Sequence, residues 1–288
     1  MRITTSLEYQ KLSDNIETSL QALNTVQSQI SSGKKLQTFS DDAAGASQSL
    51  VLRSALGDNA QYQRNAASAT AFLTATQSAL STATSVVQSA RQIAVAGANS
   101  TQTPDSLAAL GDQVDGIVQQ LTQAANTQAQ GRYIFGGTAT TTVPYDSTQT
   151  YHGNTGAVSS TLGPGHSVQI NTPGPTAFGP AFTALQSLKT DLAAGDAAAV
   201  SGDIGKVDTA LSALNAASAT AGAKANQAAA ATQNLTRAQS DYQTSISNIE
   251  DVDLAQAYVQ LQSATNVYQA SLSTVAKASQ YSLADYLH

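Results

Sequence analysis

Cysteine and tryptophan are both absent from the sequence, methionine occurs once, and phenylalanine only five times in 288 residues. Without cysteine there are no disulfides, no thiol nucleophile and no thiolate metal site, and the chain suits any redox compartment, or export in an unfolded state. Charge is scarce as well, at 11% of residues, with a net value of −6. The 13 Lys and Arg are scattered, so the clustered basic surface of a nucleic-acid binder is missing. No apolar run approaches the ~18–20 residues of a membrane span. Met1-Arg2-Ile3-Thr4-Thr5-Ser6 leads into no apolar core of a signal peptide, so export, if any, is expected to use no cleaved signal. No nucleophile–base constellation, phosphate loop or dinucleotide fingerprint is present, so no enzyme and no cofactor is expected.

Ala, Gln, Ser and Thr fill the space instead, a mixture that favours long helices packed through small side chains. Leu12, Ile16, Leu23, Val26 and Ile30 step by threes and fours, broken by Ser19. This is the narrow stripe of a coiled-coil seam. Thr5 to Glu8 reads as a capping box opening this helix, and Gly33 as its C-terminal stop. Residues 34–40 read as a loop, and Ser40 or Asp41 as the cap of a second helix, with Asp42 in its first turn. That helix is predicted to reach about Ala96, on the order of 80 Å. Thr103-Pro104 opens a third helix, ended by Gly131.

Five of the six prolines lie between Pro144 and Pro180. Arg132-Tyr133-Ile134-Phe135 is strand-like, and 157–162 and 166–170 are further β candidates around Gly163-Pro164-Gly165. His152 and His166 fall in this region, but no convergent acidic cluster accompanies them, so no metal site is expected. Helix resumes near Phe182. Val200, Ile204, Val207, Leu211 and Leu214 form a heptad, and Leu254, Leu261, Tyr268 and Val275 recur at spacing seven, with Ala257, Ala264, Ser271 and Ala278 beside them; Leu272 is assigned to the same assembly seam.

The expected fold is therefore mainly α: a long antiparallel coiled coil and helical bundle built from both chain ends, with a small β-rich insert. The expected domains are a terminal coiled coil (1–35 and 250–288), a helical bundle (36–131 and 183–249) and the insert (132–182). Two heptad ends must bury their stripes against each other and against copies of the chain, which points to an assembling protein.

Between Val26 and Ala55 a helix closes on Ser32-Gly33-Lys34, and Asp41-Asp42, with Ala43 and Gly45, opens the next. Ser245 to Leu287 carries Ile249-Glu250-Asp251-Val252-Asp253, Tyr268-Gln269-Ala270-Ser271 and a closing Ser282-Leu283-Ala284-Asp285-Tyr286-Leu287. With Ser89-Ala90-Arg91-Gln92-Ile93-Ala94-Val95, these stretches resemble the bacterial flagellin superfamily. The opening six residues, Gly131-Arg132-Tyr133-Ile134-Phe135-Gly136-Gly137 and the Asp285-Tyr286-Leu287 ending resemble its hook–filament junction members more than filament flagellins. Gln92 departs from the acidic residue usual there.

The resemblance implies a structural subunit of the flagellum. Its implied location is extracellular, at the junction of hook and filament. It implies a ring of copies of the chain that templates flagellin polymerisation. The implied partners are the chain itself, the hook-side junction protein, flagellin, the filament cap and an export chaperone of the flagellar type III route; no nucleic acid or membrane is implied. Filament flagellin and a helical signalling protein of chemoreceptor type stay open as alternatives.

Overall fold

The computed structural model describes the chain path of residues 2–99 and 101–286, and side chains for residues 7, 10–99 and 101–277. Among the described residues six helices and four short strands follow in the order α1 (Arg2–Ser32), α2 (Ala43–Gly97), α3 (Pro104–Ala125), β1 (Gln128–Ala129), β2 (Arg132–Tyr133), β3 (Ser159–Gly163), β4 (His166–Gln169), α4 (Gly174–Ala194), α5 (Ala197–Glu250) and α6 (Leu254–Tyr286). The mainly α architecture with small β pieces is the one the sequence implies. The chain forms two compact units, residues 1–57 with 239–288, and residues 58–238. Residues 36–57 and 239–249 thus go with the terminal helices, where the sequence placed them in the bundle.

In the first unit α1 packs along α6. The end of one meets the start of the other, since the Val252 amide donates to the Gly33 carbonyl at 3.0 Å, so the two run antiparallel. Gly33 ends α1 in a left-handed conformation (φ +72°), as the sequence requires of it. The start of α1 differs from expectation: the helix is already formed at Arg2, and the side chains of Thr5 and Glu8 lie outside the described residues. At α2 the cap is Asp42, one residue later than predicted. Its Oδ1 accepts from the amides of Ala44 (3.1 Å) and Gly45 (2.9 Å). Asp41 ties the preceding loop instead, accepting from the Gln37 (2.9 Å) and Thr38 (2.7 Å) amides.

The second unit is a bundle built from parts of α2 and α5 with α3 and α4. Its core joins Leu80 and Val87 of α2, Val114 and Leu121 of α3, Leu185 and Leu188 of α4, and Val207 and Leu214 of α5. Alanines such as Ala83, Ala90, Ala181 and Ala210 fill the gaps between them. Thr103 caps α3 as expected, its side chain accepting from the Ser106 amide, with Pro104 at the start of the helix.

Further boundaries depart from the sequence prediction. Helix α3 stops at Ala125, and Gly131 belongs to a hairpin turn. Gln130 (φ +52°) and Gly131 (φ +75°) sit between Ala129 and Arg132, the two positive φ values that a type I′ turn demands. Helix α4 begins at Gly174, well before Phe182, and carries Pro180 within it. Burial of Phe178, Ala181 and Phe182 offsets the bond that proline cannot make. Gly195 (φ +72°) then ends α4, and Asp196 starts α5 by accepting from the Ala198 and Ala199 amides, both at 3.0 Å.

The β-rich segment is mostly turns. The β3–β4 hairpin pairs Ser160 with Val168 and Thr161 with Ser167, and its Leu162 and Val168 bury against Ala66, Ala69 and Ala228.

Candidate assembly site

Glu250, the last residue of α5, organises the first unit. Its carboxylate is buried, with 7% of the side chain exposed. One oxygen accepts from Arg53 Nε at 2.9 Å and from the Ser49 hydroxyl; the other accepts from Arg53 Nη2 at 2.7 Å and from Lys34 Nζ. Its carbonyl takes the Lys35 amide at 2.8 Å. The α1–α2 loop, the start of α2 and the α5–α6 break are thereby tied at one point. The Arg53 guanidinium first, then Lys34 and Ser49, hold the Glu250 carboxyl well below the usual carboxylate range. The same pairing raises the Arg53 pKa.

Two cations, Lys34 and Arg53, share the one carboxylate at this node. Asp41 is depressed too, chiefly by the Thr38 and Gln37 amides.

The residues of the predicted N-terminal motif meet here. Ser32 Oγ accepts from the Lys34 amide (3.2 Å) and Gln37 Nε2 (3.0 Å). A Cβ on Gly45 would lie 2.4 Å from Asp42 Oδ2, so a side chain there would displace the capping carboxylate. Beside the node, Leu36, Phe39, Ala46 and Leu50 line a cavity of about 320 Å³. Sequence reasoning did not assign Ser49 or Arg53, and it quoted Glu250 only within a motif. The available signal was rarity, for Glu250 is one of just three glutamates.

The predicted seam is partly relocated. Leu12, Ile16, Leu23, Val26 and Ile30 are half-buried on α1. Ser19 is half-buried among them, so the expected interruption is part of the line. On α6 the line is Ala257, Leu261, Ala264, Tyr268, Ser271 and Val275, with Ala257 fully buried. Leu254 and Leu272, placed in the seam by their spacing, are 49% and 43% exposed. They lie to one side of this line, which alternates the small Ala257, Ala264 and Ser271 with the larger Leu261, Tyr268 and Val275. The closing motif from Ser282 onward lies outside the described side chains.

The Arg132–Gly137 motif belongs to the second unit. Arg132 and Tyr133 form β2, and Ile134 and Phe135 are fully buried. The Phe135 ring meets Phe178 edge-on at 4.7 Å, and its carbonyl accepts from the Tyr151 hydroxyl and the Gly174 amide, each at 2.9 Å. Gly137 has φ +68°, and a Cβ there would stand 2.0 Å from the Asn154 carbonyl oxygen. The motif is thus a packing device. Of the two histidines in the β-rich segment, His152 bonds Asp146 at 2.8 Å and His166 opens β4. Among the described residues no group of three potential metal ligands converges, and no helix is long and apolar enough to cross a membrane.

Sequence models of the bacterial flagellin N-terminal and C-terminal helical regions match residues 3–140 and 204–287. This chain is a member of the bacterial flagellin family. The flagellar hook-associated protein 3 of Salmonella typhimurium is 34% identical to this flagellin-family chain over 180 residues, 62% of it and 57% of the relative. The Escherichia coli protein of the same name is 36% identical over 146 residues, 50% of this chain and 46% of the relative. The chain thus spans about half the length of these curated relatives. The crystal structure of Bacillus cereus FlgL superimposes with a TM-score of 0.61 at 25% identity, over 68% of this chain and 99% of that one. In this flagellin-family member the Arg91 of the third motif pairs with Asp208 at 2.6 Å.

Proposed function

We propose that this flagellin-family chain is a structural subunit of the extracellular bacterial flagellum, forming the ring that joins hook to filament and on which flagellin polymerises. One observation carries the assembly role. Among the described residues twelve large hydrophobic side chains stand exposed, and ten of them lie in the unit made of the chain ends: Leu7, Leu20, Phe39, Leu50, Val51, Leu254, Tyr258, Val259, Val267 and Leu272. The other two, Val95 and Val143, lie in the larger unit. Exposed apolar area concentrated in this way marks an interaction surface. Residues 18–33 and 254–276 contain no Asp, Glu, Lys or Arg, so covering them strands no charge. The similarity to hook-associated protein 3 supports the junction rather than the filament itself.

The residues that bear the contact are Leu12, Ile16, Leu23, Val26, Ile30, Leu261, Tyr268 and Val275, which set the α1–α6 pair, and Leu254 and Leu272, which face outward from it. The partners are copies of the chain, the hook-side junction protein, flagellin with its cap, and an export chaperone. The role is mechanical, without catalysis, and export proceeds without a cleaved signal.

A deletion strain tests the proposal. Bare hooks with flagellin released into the medium are the expected outcome. Bare hooks with no major secreted subunit would instead make this chain the filament flagellin, and normal filaments would overturn both.

A further inference from the structure

Along α5 the fully buried residues Val200, Asp203, Val207, Ala210 and Leu214 step by three and four in strict alternation. This is the stripe with which α5 faces the bundle core. Four of the five are apolar, and the other is a carboxylic acid. Asp203 thus stands where a Val, Ala or Leu would ordinarily pack.

Its surroundings do not suit a carboxylate. Oδ1 accepts from Lys206 Nζ at 2.7 Å, but Oδ2 is buried and receives no hydrogen bond. A buried oxygen left without a donor is costly. The further neighbour is itself an acid: Asp191, near the end of α4, acts on Asp203 as a hydrogen-bond partner and as a charge. Two carboxylates can form a hydrogen bond only when one of them carries a proton. Burial places that proton on Asp203, and Asp191, which is only half-buried, remains the acceptor. Lys206 and Asp191 are the charged groups that act on Asp203. Elsewhere α3 contributes Asp115, held by Lys189 of α4 at 2.6 Å, and α2 contributes Arg91, held by Asp208 at 2.6 Å.

We propose that Asp203 is a neutral acid in the folded bundle, its hydroxyl donating to the Asp191 carboxylate, and that loss of this proton releases the α4–α5 end of the bundle. In the protonated state Oδ2 has a partner, and the row Lys206–Asp203–Asp191 carries no net charge. When the proton passes to water, two negative charges face each other where solvent screens them poorly. Parting α4 from α5 relieves that repulsion. The two helices meet beside Gly97, where a Cβ would touch Leu192 of α4 at 2.6 Å and Val200 of α5 at 3.3 Å. The sense is fixed by the proton, which the folded form binds more tightly than the unfolded one. Its contribution is complete in acid and is lost as pH rises through the raised value of Asp203. The device is thus a latch that alkali opens.

Infrared spectroscopy of the purified full chain reads the proton directly. At about pH 5.5, where an ordinary Asp side chain is ionised, wild type should show the carbonyl stretch of an un-ionised carboxylic acid, fading as pH is raised. The band should be missing from Asp203→Asn. It should be missing equally from Asp191→Asn, whose new amide can donate to an ionised Asp203. Hydrogen exchange reads the release. Amides of residues 188–204 in wild type should lose protection by up to about tenfold per pH unit through the same range, beyond the change in either variant at the same pH. The absence of any band that Asp203→Asn removes overturns the proposal. A band that survives in Asp191→Asn overturns it too, since burial alone would then hold the proton. Equal loss of protection in all three chains overturns the latch. Because Asp191 is half-buried, its variant carries the test even where Asp203→Asn folds poorly.

Discussion

The Arg53 guanidinium grips the Glu250 carboxylate at two points, Nε to Oε1 at 2.9 Å and Nη2 to Oε2 at 2.7 Å. A fork of this kind fixes direction as well as distance. With Lys34 and Ser49 on the same two oxygens, it sets the path of three chain segments. The acceptor is buried while the two cations are each about half exposed, so the energetics depend chiefly on the carboxylate.

Glu250→Gln is expected to lower stability by about 1–3 kcal/mol, the worth of charge-assisted bonds to a buried acceptor. Lys34 and Arg53 reach water, so no buried charge is abandoned. Urea unfolding measures the loss. Hydrogen exchange should localise it to the Lys35 amide and its neighbours rather than to the Val114–Leu188 core.

The same pair predicts a pH dependence. The folded-state pKa of Glu250 lies below its ordinary value of 4.5. Its contribution is therefore complete above that value and is lost as pH falls through and below it. The stability gap between wild type and Glu250→Gln should be constant from pH 8 to about 5.5 and should narrow at more acid pH. A gap that widens on acidification would contradict the assigned ionisation.

Asp203 should behave in the opposite sense. It is fully buried, with one oxygen on Lys206 at 2.7 Å and the other unpartnered. Burial is the main cause that raises its pKa, and the Asp191 carboxylate adds to it. The ionised form is thus the destabilised one, relieved as pH falls through the raised value. Asp203→Asn is expected to be neutral or stabilising by about 1 kcal/mol at pH 7. Any gain should vanish on acidification, as followed by melting temperature at pH 7 and pH 4.

Two glycine substitutions separate backbone conformation from space. Gly131→Ala meets nothing within 4 Å but retains φ +75°, and should cost about 1 kcal/mol. Gly137→Ala meets the Asn154 carbonyl oxygen at 2.0 Å in addition to φ +68°. It should cost distinctly more, by roughly 1–3 kcal/mol beyond the first, and thermal melts of the two variants side by side give the difference.

The helical frame was legible because period and punctuation agree in it. Leu12 to Ile30, the Thr103-Pro104 start and the Gly33 stop all follow from residue type. Helix α4 was hidden by its own composition. Pro173, Pro175 and Pro180 read as breakers, yet the first two sit at a helix start, where a missing N–H is harmless. The α5–α6 break left a trace in the phase: the spacing of seven through Leu235, Tyr242 and Ile249 slips to five before Leu254. Of the large residues read as the α6 seam, Leu261, Tyr268 and Val275 share the half-buried line with the small Ala257, Ala264 and Ser271 beside them, while Leu254 and Leu272 stand exposed. Glu250 stayed out of view because a lone carboxylate says nothing about a partner 197 residues earlier.

Lys34 and Glu250 are 216 residues apart, and the unit they close draws on both chain ends and little between. Such a unit has no partial form: a chain lacking its final helix has nothing to set against its first, however well the middle is folded. Any polypeptide that is broken or stalled leaves this unit unfinished. Its completion is thus a property of the whole molecule, withheld until both ends are in the same place.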